Sequence, residues 1–130
     1  MNNPQTPSKK SLATLLKFGM TGVCSTLIHI LVATTLISGF DKSTPIANGT
    51  AFIIATSFSY GVNTLWSFSN QISSRNALRF IIVSLVGLTL TILISLFADS
   101  LNLHYMIGIA MVVITVPIYT FLAHSLWTYR

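Results

Sequence analysis

Residues 80–98 read FIIVSLVGLTLTILISLFA and contain no charged side chain. A helix that crosses a membrane needs roughly 17–25 predominantly apolar residues. Three more stretches without charge are long enough for such a helix, at residues 18–40, 43–74 and 100–129. We therefore predict four transmembrane helices, at about residues 15–38, 45–66, 78–98 and 105–127.

The composition of the whole chain points to the same class of protein. Of its 130 residues 52% are hydrophobic and only 7% are charged, with a mean hydropathy of +0.76. Soluble domains carry about 25% charged residues, because their surfaces face water. The sequence therefore predicts an all-α integral membrane protein. The first apolar run is too long for the apolar core of a cleaved signal peptide, so we interpret it as a retained helix.

The few charges fall unevenly on the two sides of these helices. Six of the seven basic residues would lie on one side, namely Lys9, Lys10, Lys17, Arg75, Arg79 and Arg130. The other side would hold only Asp41, Lys42 and Asp99. Because Lys and Arg in short loops favour the cytoplasm, both termini and the middle loop are predicted to be cytoplasmic. The basic charge is thus explained by topology, and no nucleic-acid partner is implied.

The chain is predicted to be a disordered cytoplasmic tail, residues 1–14, followed by one transmembrane domain, residues 15–130. The domain divides into two tandem helical hairpins, at about residues 15–69 and 78–130. Lys17-Phe18 aligns with Arg79-Phe80 at an offset of 62, and Leu65-Trp66 aligns with Leu126-Trp127 at an offset of 61. A two-helix unit preserves orientation, so the hairpins are predicted to be parallel repeats related by an axis along the membrane normal.

The candidate site residues are polar side chains within or beside the helices. His29 lies near the middle of its span, where it either lines a polar path or bonds a neighbouring helix. Asn63 and Trp66 lie one turn apart and could bind a sugar, with the amide bonding hydroxyls and the indole stacking; capping and interface anchoring is the alternative. Arg75 and Arg79 could meet a lipid phosphate or simply set the topology. Asn48 is placed at an outer helix end, where a solvated loop role competes with ligand binding.

Taken together, several short motifs resemble those of the GtrA-like family. They are Lys17-Phe18, Gly22, Thr26 with His29, Pro45-Ile46-Ala47-Asn48, and Asn63-Thr64-Leu65-Trp66-Ser67-Phe68, with a second set at Arg79-Phe80, Gly87 and Trp127-Thr128-Tyr129. The family usually carries an Arg beside the Asn that precedes Trp, whereas this chain has Thr64-Leu65 there.

This resemblance implies a protein of the bacterial inner membrane that translocates a sugar linked to polyprenyl phosphate, for O-antigen, polysaccharide or cell-wall glycosylation. A separate membrane glycosyltransferase would make the sugar lipid, and a homo-oligomer could form the path. The resemblance implies no cofactor and no enzymatic step. The sequence itself has no metal-ligand cluster and no nucleophile paired with a base.

Two other functions are compatible with a protein of this size. A membrane anchor that recruits the glycosyltransferase would need the helices but no transport. A small cation exporter would need a carboxylate inside the membrane to exchange proton and substrate. Both acidic residues, Asp41 and Asp99, fall between the predicted helices or at their ends, so the exporter is the weaker alternative.

The asymmetry of basic residues predicts the topology directly. Reporter fusions placed after Asn70 and after Arg130 should both report the cytoplasm, and a fusion placed after Asp41 should report the opposite side. A C-terminal fusion that reports the periplasm would contradict an even number of crossings.

Overall fold

The computed structural model describes residues 9–67 and 73–128, and it is helical throughout apart from short turns. The four helices are α1 (Lys9–Phe40), α2 (Thr44–Val62), α3 (Ser74–Ser100) and α4 (Tyr105–Ala123). Helices α2 and α4 each continue into one π-helical turn, at Asn63–Ser67 and His124–Thr128. No strand occurs in the described ranges, so the all-α prediction is confirmed.

Within residues 9–67 and 73–128, three segments are long and apolar enough to cross a membrane, at Leu12–Phe40, Ser74–Ser100 and Tyr105–Thr128. Helix α2 packs between α1 and α3. It carries no charged side chain, and its Thr44 and Asn48 are both buried. The chain is therefore a small helical membrane protein.

The helix ends differ from the predicted bounds in two places. Helix α1 begins at Lys9 rather than near residue 15, so residues 9–14 are helical and the prediction of a disordered tail is wrong for them. Extending an existing helix costs far less than nucleating one. Helix α3 begins at Ser74 because the Ser73 Oγ accepts a hydrogen bond from the Asn76 N–H at 3.2 Å. Residues 1–8 of the predicted tail, residues 68–72 of the connector, Tyr129 and Arg130 lie outside the described residues.

The two hairpins turn in the same way. Asp41 and Asn102 both have left-handed backbone conformations, with φ of 55° and 53°. Asp and Asn tolerate this conformation better than most residues. The Lys42 N–H then donates to Leu36 O at 2.9 Å, and the Leu103 N–H donates to Ala98 O at 3.2 Å. Asp41 and Asn102 are 61 positions apart, so the internal repeat predicted from the sequence extends to the backbone.

The helices alternate in direction around the bundle, as contacts along each pair show. From α1 to α2, Ser25 Oγ donates to Ala55 O at 3.2 Å and His29 contacts Asn48. From α3 to α4, Tyr119 OH donates to Val83 O at 3.3 Å. This alternation brings Trp66 and Trp127 to one end of the bundle, the tryptophan end, and Asp41 and Asn102 to the other, the turn end.

In the seam between α2 and α3, the aromatic ring of Phe52 packs directly against Gly87. Phe52 is buried, and a Cβ built on Gly87 would lie 2.8 Å from its Cζ and 3.3 Å from its Cε2. Small residues let membrane helices approach closely. Gly87 therefore allows α2 and α3 to pack without a gap at this level.

Replacing Gly87 should loosen this seam. Gly87→Ala is expected to lower the free energy of unfolding by about 1–3 kcal/mol, the usual cost of overpacking a filled core. Gly61→Ala is the matched control, because nothing lies within 4 Å of a Cβ at Gly61. Titration with SDS in mixed micelles measures both changes. Because Phe52 supplies the clash, Phe52→Leu should partly rescue Gly87→Ala; equal effects at Gly61 and Gly87 would contradict the packing argument.

Candidate functional site

A cavity of about 590 Å³ opens between α1 and α4, with side chains of α2 forming its inner wall. Its polar lining consists of Ser25, Thr26, His29, Thr56, Ser59, Asn63, Thr120 and His124. No lining residue carries a fixed charge. The volume falls within the range of about 300–1,000 Å³ that is typical of small-molecule sites. Most of the lining is apolar, and the polar side chains within it are uncharged.

The cavity is open at its side because α1 offers little bulk there. Gly19 and Gly22 line it, and no atom lies within 4 Å of a Cβ built on either. The rim is made of apolar side chains that are exposed, including Leu15, Val23 and Phe121. In a bilayer such side chains face lipid, so the opening faces the membrane rather than either aqueous side.

His29 ends a buried hydrogen-bond chain that links three helices. Its Nε2 lies 3.1 Å from Asn48 Oδ1, and Asn48 Nδ2 donates to Ser95 Oγ at 2.9 Å. Ser95 Oγ in turn donates to Thr91 O at 2.8 Å. Asn48 and Ser95 are 0% exposed and His29 is 5% exposed. The chain therefore ties α1 to α2 and α2 to α3, with His29 at the cavity wall.

The burial of Asn48 corrects a sequence prediction. A solvated role at the outer end of the helix was expected, yet the side chain is completely buried. The helix begins at Thr44, with Pro45 in its first turn, so Asn48 already lies within a complete helical turn and faces the bundle interior. Asn48 does not line the cavity itself, and it acts on the cavity through His29.

Asn63 and Trp66, which the sequence placed together, face different surroundings. Asn63 is buried, lines the cavity and donates from Nδ2 to Ser59 Oγ at 3.0 Å. Trp66 is 43% exposed and is not a lining residue. The Nζ of Lys17 lies 5.3 Å from the centre of its ring, which is the distance of a cation–π contact. The described geometry thus brings Asn63 to the cavity and leaves Trp66 at the bundle surface.

In the second hairpin, Arg79 makes the equivalent cation–π contact with Trp127. Its guanidinium lies 5.6 Å from the centre of the Trp127 ring, and its Nη1 donates to Trp127 O at 2.9 Å. Arg79 therefore closes the end of the π-helical turn of α4. Arg75 is exposed in the first turn of α3. Neither arginine lines the cavity, and both lie at the tryptophan end.

His124 is not among the candidate residues named from the sequence, yet it lines the cavity and occupies the position in the second hairpin that is equivalent to Asn63. Its ring stacks on Phe80, with centroids 4.7 Å apart and an interplanar angle of 9°. Its Nδ1 lies 2.9 Å from Thr128 Oγ1. Asn63 and His124 are 61 positions apart and both begin a π-helical turn. That offset is the sequence feature that identifies His124 as a site residue.

An apolar exterior, together with a mostly apolar cavity that contains uncharged polar side chains, defines a small polytopic membrane protein with an opening between its helices. Residues 17–129 match the family described as GtrA/DPMS, transmembrane domain, and the chain belongs to this family. The resemblance found in the sequence motifs is thereby confirmed.

Two relatives are each 32% identical over 93 residues, which is 71% of this chain and 74% of the relative. They are the proteins named bactoprenol-linked glucose translocase in Shigella phage SfV and in Shigella phage SfII. No solved structure matches the chain significantly.

The two cation–aromatic pairs should contribute unequally to stability. Lys17 contacts Trp66 through a cation–π interaction alone. Arg79 makes a cation–π interaction with the Trp127 ring and also donates a hydrogen bond to the backbone carbonyl of Trp127. Arg79→Ala should therefore lower the free energy of unfolding by about 1 kcal/mol more than Lys17→Ala, since a hydrogen bond from a charged donor adds to the cation–π contact. SDS titration of both variants provides the comparison, and a larger loss for Lys17→Ala would contradict it.

Proposed function

We propose that this protein moves a sugar linked to polyprenyl phosphate across the bacterial inner membrane. Its family membership and the names of its two phage relatives support this function. The observation that carries the proposal is the cavity between α1 and α4, which has uncharged polar side chains within a mostly apolar lining and opens toward lipid.

The chemistry of the substrate fits such an opening. The polyprenyl tail already belongs to the bilayer, so only the sugar and phosphate need protection from hydrocarbon. Each hydroxyl that leaves water without a new partner costs several kcal/mol, about 4–8 in a fully apolar medium. Hydroxyl, amide and imidazole groups in the cavity can replace water around a sugar. They do so without holding a buried charge, which would itself be expensive.

The tryptophan end supplies the positive charge that the phosphate requires. Lys17, Arg75 and Arg79 lie there, and Asn63 leads from that end into the cavity. We place this end in the cytoplasm, in line with the predicted topology. A separate membrane glycosyltransferase would load the sugar onto the lipid there, and the chain itself would make or break no covalent bond. Because the cavity forms within one chain, a homo-oligomer is not required.

The two alternative functions fit the cavity less well. An anchor that recruits a glycosyltransferase has no need of a lipid-facing cavity that contains polar side chains. A proton-coupled cation exporter needs a carboxylate in its path, and the only two acidic residues, Asp41 and Asp99, are exposed at the turn end.

Two threonines of α1 allow a matched test of the proposal. Thr26 and Thr35 both donate to the carbonyl four residues earlier, Gly22 O at 2.9 Å and Leu31 O at 2.7 Å. Only Thr26 lines the cavity. Thr26→Val should therefore slow translocation of bactoprenol-linked glucose in proteoliposomes by about threefold or more, the effect of one hydrogen bond in a membrane protein. Thr35→Val should not.

His29→Leu should slow translocation further, because it removes the imidazole from the cavity wall. Rates are normalised to the amount of protein in the vesicles, so that a folding defect is separated from a transport defect. Normal rates for both Thr26→Val and His29→Leu at normal abundance would rule out the cavity as the path. Retained copurification of a glycosyltransferase without any transport by the wild-type protein would favour the anchor.

A further inference from the structure

The buried chain from Ser95 to His29 can be read as a sequence of donors and acceptors. The Ser95 hydroxyl has a single hydrogen, which it gives to Thr91 O at 2.8 Å. Toward Asn48 the Ser95 Oγ can then only accept a hydrogen bond. The Asn48 amide must therefore turn its NH₂ group to Ser95, at 2.9 Å.

This orientation of the Asn48 amide determines which nitrogen of the His29 imidazole carries a hydrogen. With its NH₂ on Ser95, Asn48 presents Oδ1 to the His29 Nε2 at 3.1 Å. A carbonyl oxygen only accepts, so Nε2 must carry a hydrogen. In a neutral imidazole the other nitrogen, Nδ1, then has a free lone pair. This nitrogen has no hydrogen-bond partner in the described part of the chain, and His29 lines the cavity.

We infer that Asn48 and Ser95 are positioning residues that hold His29 in its Nε2–H form, so that Nδ1 accepts a hydrogen bond from a hydroxyl group of the ligand in the cavity. The identity of that ligand as a sugar rests on the proposed function. A phosphate diester or a carboxylate offers only acceptors, so neither can satisfy Nδ1. Among the α1 residues that line the cavity, His29 is the farthest along the chain from Lys17. The sugar therefore lies beside His29, and the phosphate stays near the tryptophan end.

The internal repeat shows that helix packing alone does not require the hydrogen-bonded side chains of Ser95, Asn48 and His29. Ala33 stands in the place of Ser95 at an offset of 62, and Ile109 stands in the place of Asn48 at an offset of 61. Ala33 and Ile109 pack together in an apolar cluster with Ala51. The same position in the fold is thus filled by apolar side chains between α1 and α4 and by hydrogen-bonded side chains between α2 and α3, which reach the cavity through His29.

The first experiment measures the tautomer of His29 in the wild-type protein. Nitrogen NMR of ¹⁵N-histidine-labelled protein in lipid nanodiscs, with His29 assigned by the loss of its signals in His29→Gln, should show a protonated Nε2 and a bare Nδ1. Ser95→Ala frees the Asn48 amide to turn and should produce a mixture of tautomers. Ser100→Ala is the matched control, since Ser100 is an exposed serine of the same helix that bonds only Phe97 O. A hydrogen on Nδ1 in the wild type would overturn the inference, and so would a Ser95→Ala spectrum identical to wild type.

The second experiment tests the ligand class. Adding bactoprenol-linked glucose to the nanodiscs should shift the Nδ1 resonance, whereas bactoprenol phosphate alone should not; equal shifts would overturn the role of Nδ1 as a hydroxyl acceptor. Ser95→Ala should slow translocation by about three- to thirtyfold, the range of one interhelical hydrogen bond in a membrane, and Ser100→Ala should leave it unchanged. If wild-type protein fails to transport while the tautomer and the sugar-dependent shift are observed, the translocase proposal fails and the positioning role stands.

Discussion

The structure depends on one constraint: inside a bilayer, each polar group needs a partner within the protein. Several hydroxyls of this chain meet it locally, as Thr21, Thr35 and Ser57 do by donating to the carbonyl four residues earlier. The buried hydroxyls of Thr34, Tyr60 and Ser84 have no hydrogen-bond partner in the described part of the chain. Asn48 cannot meet the constraint locally, because its amide has both donors and acceptors to satisfy. It therefore reaches α1 on one side and α3 on the other. Helix α2 must consequently lie between α1 and α3, which is where it is found.

The repeated sequence gives two unequal contacts between helices. Between α2 and α3, the ring of Phe52 packs on Gly87. At the corresponding positions of α1 and α4 the chain has Ser25 and Val113, which are 62 and 61 positions away from Gly87 and Phe52. A hydroxyl and a smaller apolar side chain cannot fill the volume of a phenyl ring, and both line the cavity. The cavity therefore lies where the ring of Phe52 has only a smaller counterpart.

The charge-free runs were sufficient to predict four helices, and the aligned Trp residues were sufficient to predict the repeat. Both inferences need only the spacing of residues along the chain. The burial of Asn48 and the separation of Asn63 from Trp66 depend on which face of a helix each neighbour covers, and spacing does not supply that. The start of α1 at Lys9 was missed for a similar reason: polar residues beyond the membrane can extend a helix that the apolar run has already nucleated.

The repeat also limits how a substrate could cross. The sequence predicts that the two hairpins are parallel and related by an axis along the membrane normal, and exchanging the conformations of such hairpins would not turn an opening from one side of the membrane to the other. The crossing must instead follow the single seam between α1 and α4. From Leu15 to His29 the α1 side of that seam borders the cavity, whereas beyond it Ala33 and Ile109 are in contact and buried. Transport as proposed here therefore requires α1 and α4 to separate at this small apolar contact, and His29 lies immediately before it.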